Sequence, residues 1–298
     1  MELKPDATPS VANLLDWLEP AMVPPLFRPP VRAALQSLAI TLPAARFLLF
    51  ECHLGATSPR VDLSLGQMVA LPPHLDLPAM RAHPGPILLE YDLGMTACPA
   101  VFASFSHRAP ATGTGLAALA SALLGSPAPE VAAMLGRAAE AQEAGAAWIT
   151  QFGAMLSRAH RPIRLNIGGR SRATIQGCAE RVGMAPQSLL ETLFDLAMGL
   201  DADFILAIDI AECVLPRIGL EYYFEDPASA GQFLDRLSER GVCDADEVAG
   251  IRLWGEEGRV ARRLNHVKLV ASSPDDVRAK AYLAVQYRGD ADERERRA

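Results

Sequence analysis

The sequence predicts an α+β fold in which antiparallel hairpins form a sheet and helices cover one of its faces. Two observations predict it: pairs of strand-like segments joined by short turns, and helical segments that separate these pairs in the order helix, helix, strand, strand. Parallel βαβ units would place a helix between every two strands, so consecutive hairpins indicate an antiparallel sheet. The sheet is either open or closed into a barrel, which would remove exposed edges.

Composition limits the class of protein. The chain has 298 residues, of which 50% are hydrophobic, so it can bury a substantial core. Its net charge of -7 argues against a surface built to bind nucleic acid or anionic lipid, which needs an excess of Lys and Arg. Scattered cysteines, no signal-peptide pattern and no long apolar run predict a cytoplasmic protein without membrane insertion. The histidines lack zinc-ligand spacing, so no metal site is predicted.

The first half of the chain begins with two predicted helices, VANLLDWLEP and PVRAALQSL, which a proline-rich stretch separates. Strand-like segments at 46–54 and 60–68 follow and form a hairpin around GATSP. A second pair of strands is predicted at 86–93 and 99–107. Residues 114–158 are rich in alanine and leucine at helical spacing, which predicts two further helices.

The second half begins with a strand at 161–169 that has no evident partner, followed by two helices. A third hairpin is predicted from 203–212 and 216–226, then a helix in DPASAGQFLDRLSERG, then a fourth hairpin from 262–272 and 276–288. Residues 1–288 are predicted to form one domain. The charged segment 289–298 is predicted to be a disordered tail.

Polar and apolar residues alternate along these strands, as in a half-buried sheet. In RIGLEYYF, Arg217, Gly219, Glu221 and Tyr223 fall on one side, opposite an apolar side. Other strands repeat the pattern, with the polar positions Arg60, Asp62, Ser64, Arg164, Asn166, His266, Lys268, Arg278, Lys280, Tyr282 and Gln286. This polar side is either the wet face of an open sheet or the lining of a chamber inside a barrel. Arg, Lys, Tyr, Asn and His at successive positions suit a chamber that binds an anion such as a diphosphate.

The segment RAKAYL at 278–283 resembles the Arg-x-Lys-x-Tyr strand of the ABBA prenyltransferases. That family has αββα repeats and an antiparallel barrel whose lumen holds an isoprenyl diphosphate. IGLEYYF is also similar to a strand of the cyanobactin-type peptide prenyltransferases. The resemblance implies a barrel of repeated hairpins surrounded by helices. It further implies transfer of an isoprenyl group from an allylic diphosphate to an aromatic or peptide acceptor, in bacterial peptide natural-product biosynthesis.

The resemblance also implies which residues bind the donor. Arg278 and Lys280 would bind the diphosphate, and Tyr282 would shield the allylic cation. Further substrate-binding residues follow from strand face and residue type rather than from a full motif; they are Arg60, Arg217, Lys268 and Tyr223. Mg²⁺ bound with the diphosphate is a candidate cofactor, and the sequence leaves open whether it is required.

Two glutamates are candidates for the catalytic base that takes the proton of the acceptor. They are Glu51, whose pKa burial in an apolar strand would raise, and Glu221. Either could instead be the structural partner of an ion pair.

Two other functions stay open. A non-catalytic peptide-binding module would use an exposed sheet edge or the polar face. A phosphate-handling enzyme would use NIGGRSR at 166–172, which runs from a strand through paired glycines to a helix start but lacks the Walker spacing. The DDxxD signature of all-helical isoprenoid synthases is absent. Trp17, Trp148 and Trp254 are predicted to lie in helices and to pack in the core.

Overall fold

The computed structural model describes residues 8–288, apart from 58–59, 69–74, 76–82, 84, 95–97, 107–109, 126–127, 144–146, 159, 185–186 and 256–259. The predicted tail at 289–298 lies outside the described residues. Within the described part, no helix has both the length and the apolar character needed to cross a bilayer.

Ten antiparallel strands form one closed barrel. Each strand pairs with its neighbours in the chain, and the first strand closes the ring by pairing with the last. The strands are β1 (Ala45–Leu54), β2 (Val61–Met68), β3 (Ile87–Tyr91), β4 (Ala100–Ser104), β5 (Ala147–Ala154), β6 (Ile163–Gly169), β7 (Asp203–Ile210), β8 (Val214–Tyr223), β9 (Val260–Ser273) and β10 (Asp276–Tyr287). The barrel prediction is confirmed and the open sheet is excluded. The described strands therefore leave no free edge for strand addition by a peptide.

Eight α-helices of the described residues surround the barrel. They are α1 (Val11–Leu18), α2 (Pro29–Ala39), α3 (Gly113–Leu124), α4 (Pro129–Glu143), α5 (Arg172–Val182), α6 (Gln187–Leu196), α7 (Pro227–Glu239) and α8 (Ala245–Arg252). A helix pair precedes each of the hairpins β1–β2, β5–β6, β7–β8 and β9–β10, which confirms the predicted repeat. Side chains cap several helices, such as α5, where the Ser171 hydroxyl accepts a bond from the Thr174 N–H.

The prediction of helix through residue 158 is wrong at its C-terminal end. Residues 147–154 form β5, which pairs with β6 and supplies the partner that β6 lacked in the sequence analysis. Its β-branched and aromatic residues favour a strand, but the alanine-rich helix before it hides the boundary. Trp148 therefore lies in a strand, and its ring covers Gly168, where a Cβ would come within 2.5 Å of the ring. The paired glycines of NIGGRSR thus have a packing role.

The hydrophobic core lies between the barrel wall and the helices. On β1, Leu48, Phe50 and Cys52 belong to this core, while Glu51 and the other alternate residues face the lumen. The Phe50 ring contacts the ring of Trp254 at a centroid distance of 5.8 Å. Trp254 follows α8 instead of lying in a helix, but it is buried as predicted. The side of each strand that alternates with this core faces the interior, and on β8, β9 and β10 this inner side carries the polar residues.

Candidate active site

The lumen contains a chamber of about 170 Å³. One part of its wall is aromatic and apolar and includes Phe47, Leu49, Leu88 and Phe102. Another part is polar and carries four of the predicted site residues, which are Glu221, Tyr223, Lys268 and Tyr282. Strand alternation on β8, β9 and β10 brings these four together, although they lie far apart in the chain.

Glu51 holds one lysine and one tyrosine of the adjacent strand β10. Its carboxylate accepts bonds from Lys280 Nζ and from the Tyr282 hydroxyl. The Nε2 atom of His53 lies 3.2 Å from Glu51 Oε1. Burial alone would raise the pKa of Glu51, but Lys280 and His53 hold it well below the usual value. Both oxygens of this carboxylate are therefore occupied.

Glu221 makes an equivalent group on β8 and β9. Its Oε1 accepts a bond from Lys268 Nζ at 2.8 Å, and its Oε2 accepts one from the Tyr223 hydroxyl at 3.1 Å. Burial would raise the pKa of Glu221, but Lys268 lowers it. A Cβ at Gly219 would lie 2.6 Å from Lys268 Cε, so the glycine gives the lysine stem its room.

The tyrosines of the two groups enclose a histidine. The His266 ring lies 4.6 Å from Tyr223 and 4.0 Å from Tyr282, measured between ring centroids, and both pairs are stacked. Asn265 Nδ2 lies 2.8 Å from His266 Nδ1 and, as the amide is oriented, donates to it, so the proton of the neutral ring lies on Nε2. Burial lowers the pKa of His266 to about 4, so the imidazole is neutral at pH 7. Three uncharged aromatic rings thus line the chamber where a cation would be favourable.

A pocket rich in cations adjoins the chamber and shares Arg164 and Lys268 with it. The pocket is also lined by Arg217 and Lys280, and Asp209 supplies a carboxylate. Arg164 donates two hydrogen bonds to Asp209, at 2.7 and 2.9 Å. Arg217 forms no ion pair with any described residue, and burial together with repulsion from Arg164 and a further arginine lowers its pKa. Arg164, Lys268 and Lys280 each have a carboxylate partner, so the excess positive charge of the pocket is that of Arg217, and it favours an anion.

Two predicted substrate-binding arginines lie outside the lining of both cavities. Arg60 donates to Asp62 and Asp92, each at 3.2 Å, and its side chain is 43% exposed. Arg278 donates to Asp276 at 3.0 Å beside the β9–β10 turn, and its side chain is 71% exposed. The roles predicted for them on the donor stay predictions.

Several lining residues were not among the predicted site residues. Arg164, Asn166 and His266 were seen as polar strand positions without a role, and Glu90 was not singled out. The signal for Glu90 was present, because ILLEY places one carboxylate in an apolar strand, as FLLFECHL does for Glu51. Asn166 Nδ2 donates to Gln151 Oε1 at 2.7 Å, whereas Asn166 Oδ1 and His266 Nε2 are buried and have no hydrogen-bond partner in the part of the chain that the structure describes.

One cluster of the described residues has metal-ligand chemistry. The ligand atoms of Glu51, His53 and Asp62 lie within 4.8 Å of one another. Their oxygens already accept bonds from Lys280, Tyr282 and Arg60, which bring positive charge to the cluster. This donor set therefore does not fit a divalent cation held by the protein.

Comparisons with known proteins identify the fold. No protein-family model matches the sequence. A search of curated proteins finds no match. Among solved structures, the apo form of the prenyltransferase PriB matches with a TM-score of 0.59 at 12% identity, over 94% of this chain and 96% of PriB. The complex of PriB with product diphosphate matches with a TM-score of 0.55, and its ternary complex with L-tryptophan and dimethylallyl thiolodiphosphate with 0.54; each is 12% identical and covers 94% of this chain and 97% of PriB. At this level of identity the likeness shows a shared fold, and the chain therefore has the closed antiparallel barrel of this prenyltransferase.

Proposed function

We propose that the protein is a prenyltransferase that moves an isoprenyl group from an allylic diphosphate to an aromatic acceptor. The observation that carries the proposal is the cation-rich pocket of Arg164, Arg217, Lys268 and Lys280 beside a chamber with stacked aromatic rings. Ionisation of an allylic diphosphate needs preorganised positive charge for the leaving group and aromatic faces for the carbocation. PriB, which shares the fold, binds product diphosphate.

The residues divide into two roles. Arg217 and the two lysines bind the diphosphate, while Tyr223, His266 and Tyr282 lie along the allylic group. Glu51 and Glu221 are 2% and 5% exposed and hold the two buried lysines, so the ammonium groups are in position before the donor arrives. Such preorganisation lowers the cost of reorientation during the reaction.

The acceptor side of the proposal extends to peptides. A cavity of about 690 Å³ adjoins the chamber and shares Tyr223, Asn265 and His266 with it. Its wall includes apolar rings and the charged Arg263 and Glu225, which suits a chain that continues beyond the reacting ring. An aromatic side chain within a peptide is therefore our proposed acceptor. The assignment to the cyanobactin-type branch stays a prediction.

Donor binding is tested by calorimetry and thermal shift with dimethylallyl thiolodiphosphate. We expect the ligand to stabilise the wild-type protein, and we expect Arg217→Ala to weaken binding at least tenfold. Arg278→Ala is the matched control, since it removes an arginine outside both cavities. A loss of binding in Arg278→Ala alone would favour the sequence motif over the pocket.

Turnover is tested with dimethylallyl diphosphate and either free tryptophan or a peptide that contains an internal tryptophan, with products identified by mass spectrometry. We expect a higher kcat/KM for the peptide. Peptide binding without any prenylated product would instead favour the non-catalytic peptide-binding module. Mg²⁺ carried by the diphosphate stays a prediction, which a comparison of activity in Mg²⁺ and in EDTA decides.

A further inference from the structure

Glu90 is a carboxylate of the chamber wall to which neither of the described lysines donates a hydrogen bond. It lies on β3, lines the chamber and is 6% exposed. Among the described residues, none donates a hydrogen bond to its carboxylate. Its ion-pair partner is Arg158, whose Nη2 lies 3.8 Å from Glu90 Oε1, beyond hydrogen-bond distance.

The carboxylates of the other two glutamates beside the chamber already accept hydrogen bonds from the protein. Glu51 and Glu221 each accept one bond from a lysine and one from a tyrosine. These bonds stabilise the ionised form, and the pKa of each carboxylate is lowered. Protonation of either would release a buried lysine from its counter-ion, so neither suits the uptake of a proton during turnover.

In contrast, the surroundings of Glu90 raise the pKa of its carboxyl group. Burial and the negative charge of Glu51 on β1 raise the pKa of Glu90 to about 7. The cations that oppose this shift are Arg164 on β6, Arg158 beyond β5 and Lys280 on β10. The cross-strand neighbours of Glu90 are Ser64 on β2 and Ala100 on β4, which carry no charge. A base that titrates near the working pH is effective in general base catalysis.

The proposed transfer reaction generates one proton that needs an acceptor. The bond between C1 of the allylic group and the diphosphate oxygen breaks, and its electron pair leaves on the diphosphate. An acceptor ring carbon then gives an electron pair to C1, which forms the new C–C bond and leaves the ring cationic. Aromaticity returns when a base removes the proton from that carbon and the C–H electron pair stays in the ring.

We propose that Glu90, which lies in the chamber wall without a hydrogen-bond donor among the described residues, takes this proton. The inference rests on the proposed function and replaces neither the donor pocket nor the aromatic stack. Glu51 and Glu221 then act as positioning residues for the lysines. After product release, the proton passes from the Glu90 carboxyl group to water.

The test compares the wild-type protein with Glu90→Gln, which keeps the shape of the side chain and removes its basicity. We expect kcat/KM for transfer to fall at least about 100-fold, in line with the usual size of general base catalysis. Binding of dimethylallyl thiolodiphosphate and slow hydrolysis of dimethylallyl diphosphate to the alcohol should persist, because neither needs this base. Glu90→Asp should recover part of the transfer activity.

Two further readouts separate a base from a structural residue. The pH profile of kcat/KM for the wild-type protein should have an acid limb with an apparent pKa near 7, and Glu90→Gln should lack this limb. The diphosphate titrates equally with both proteins, so the comparison removes its contribution. Ring-deuterated tryptophan should show a larger kinetic isotope effect in Glu90→Gln, because proton removal becomes slow. If Glu90→Gln does not fold, Glu90→Asp serves in its place with a different expected result: because the shorter carboxylate is still a base, its acid limb should shift rather than disappear, and its kcat/KM should lie below that of wild type.

The outcomes are distinct. Transfer by Glu90→Gln within about threefold of wild type, with the same acid limb and isotope effect, would overturn the role of Glu90 and leave the prenyltransferase proposal intact. A wild-type protein that neither binds the thiolodiphosphate nor forms any prenylated product would overturn both.

Discussion

The two sides of the chamber are built differently. On the side formed by β8, β9, β10 and β1, Glu51 and Glu221 each hold a lysine and a tyrosine in a hydrogen-bonded group. On the side that includes β3 and β6, the Glu90 carboxylate and Asn166 Oδ1 have no hydrogen-bond donor among the described residues. On the first side, hydrogen bonds fix the charged groups in position before a substrate binds. On the second side, polar atoms remain available to bond a substrate.

The largest effect should come from breaking one ion pair on the side where Glu51 and Glu221 bond the lysines. Glu51→Ala leaves Lys280 buried without its counter-ion, which should lower the free energy of unfolding by about 3 to 5 kcal/mol. Urea denaturation followed by circular dichroism measures this loss.

The matched control for that variant is the double substitution Glu51→Leu with Lys280→Met, which replaces the pair with apolar groups. We expect most of the stability to return, while affinity for dimethylallyl thiolodiphosphate stays low. Full donor affinity in the double variant would show that this side does not bind the diphosphate.

The second largest effect is that of Glu90, on the other side of the chamber, on the free energy of unfolding, and it depends on pH. The pKa of Glu90 in the folded state, about 7, lies above its unfolded value, so the folded state binds more protons between these two values. Wild-type stability should therefore lose up to roughly 3 kcal/mol from this group as pH rises through that window. Glu90→Gln removes the loss and should be more stable than wild type at pH 8, but not at pH 4.

His266 acts in the same window with the opposite sign, since its folded pKa of about 4 lies below the unfolded value and stability falls as pH falls. The difference between the two proteins isolates Glu90, because both contain His266. Equal stability of wild type and Glu90→Gln at pH 8 would contradict the raised pKa.

A smaller effect is expected where the backbone makes room for a lysine. In Gly219→Ala the new Cβ would lie 2.6 Å from Lys268 Cε, so the lysine must shift away from Glu221. We expect donor affinity to fall about tenfold, close to 1.4 kcal/mol, with a modest loss of stability. Calorimetry with the thiolodiphosphate measures the donor affinity. The control is Gly177→Ala on α5, where a Cβ meets nothing within 4 Å.

The smallest effect should come from an exposed ion pair. Arg278→Ala removes the contact with Asp276 at 3.0 Å, but the arginine is 71% exposed. The free energy of unfolding should change by less than about 1 kcal/mol, and less still in high salt. A loss as large as that of Glu51→Ala would remove the distinction between buried and exposed pairs.

Much of this chamber could be predicted from strand alternation. The pattern in RIGLEYYF and RAKAYL placed Glu221, Tyr223, Lys280 and Tyr282 on the polar side of their strands, and this side faces the barrel interior in the structure. Closure could not be predicted in the same way, because a wet sheet face and a lumen produce the same alternation. The partners of each lysine also depended on register, since Glu221 pairs directly with Lys268 across β8 and β9 while Glu51 faces Tyr282 across β1 and β10.

Two local failures have physical causes. The strand β5 follows directly on an alanine-rich helix that hides its start, so the pairing with β6 decides its structure. Glu90 was not predicted, although its apolar strand carries the same signal as that of Glu51, and such a carboxylate can be either a structural partner or a base. The two roles are distinguished only by the hydrogen bonds that neighbouring side chains make to the carboxylate.

Ring closure between β1 and β10 has a consequence for biosynthesis. Glu51 and Lys280 are 229 positions apart, so the ribosome must release all the residues between them before this pair can form. Contacts of such separation slow folding, and the unclosed strands expose edges that favour aggregation in the meantime. Low temperature and slow expression should therefore raise the yield of native protein.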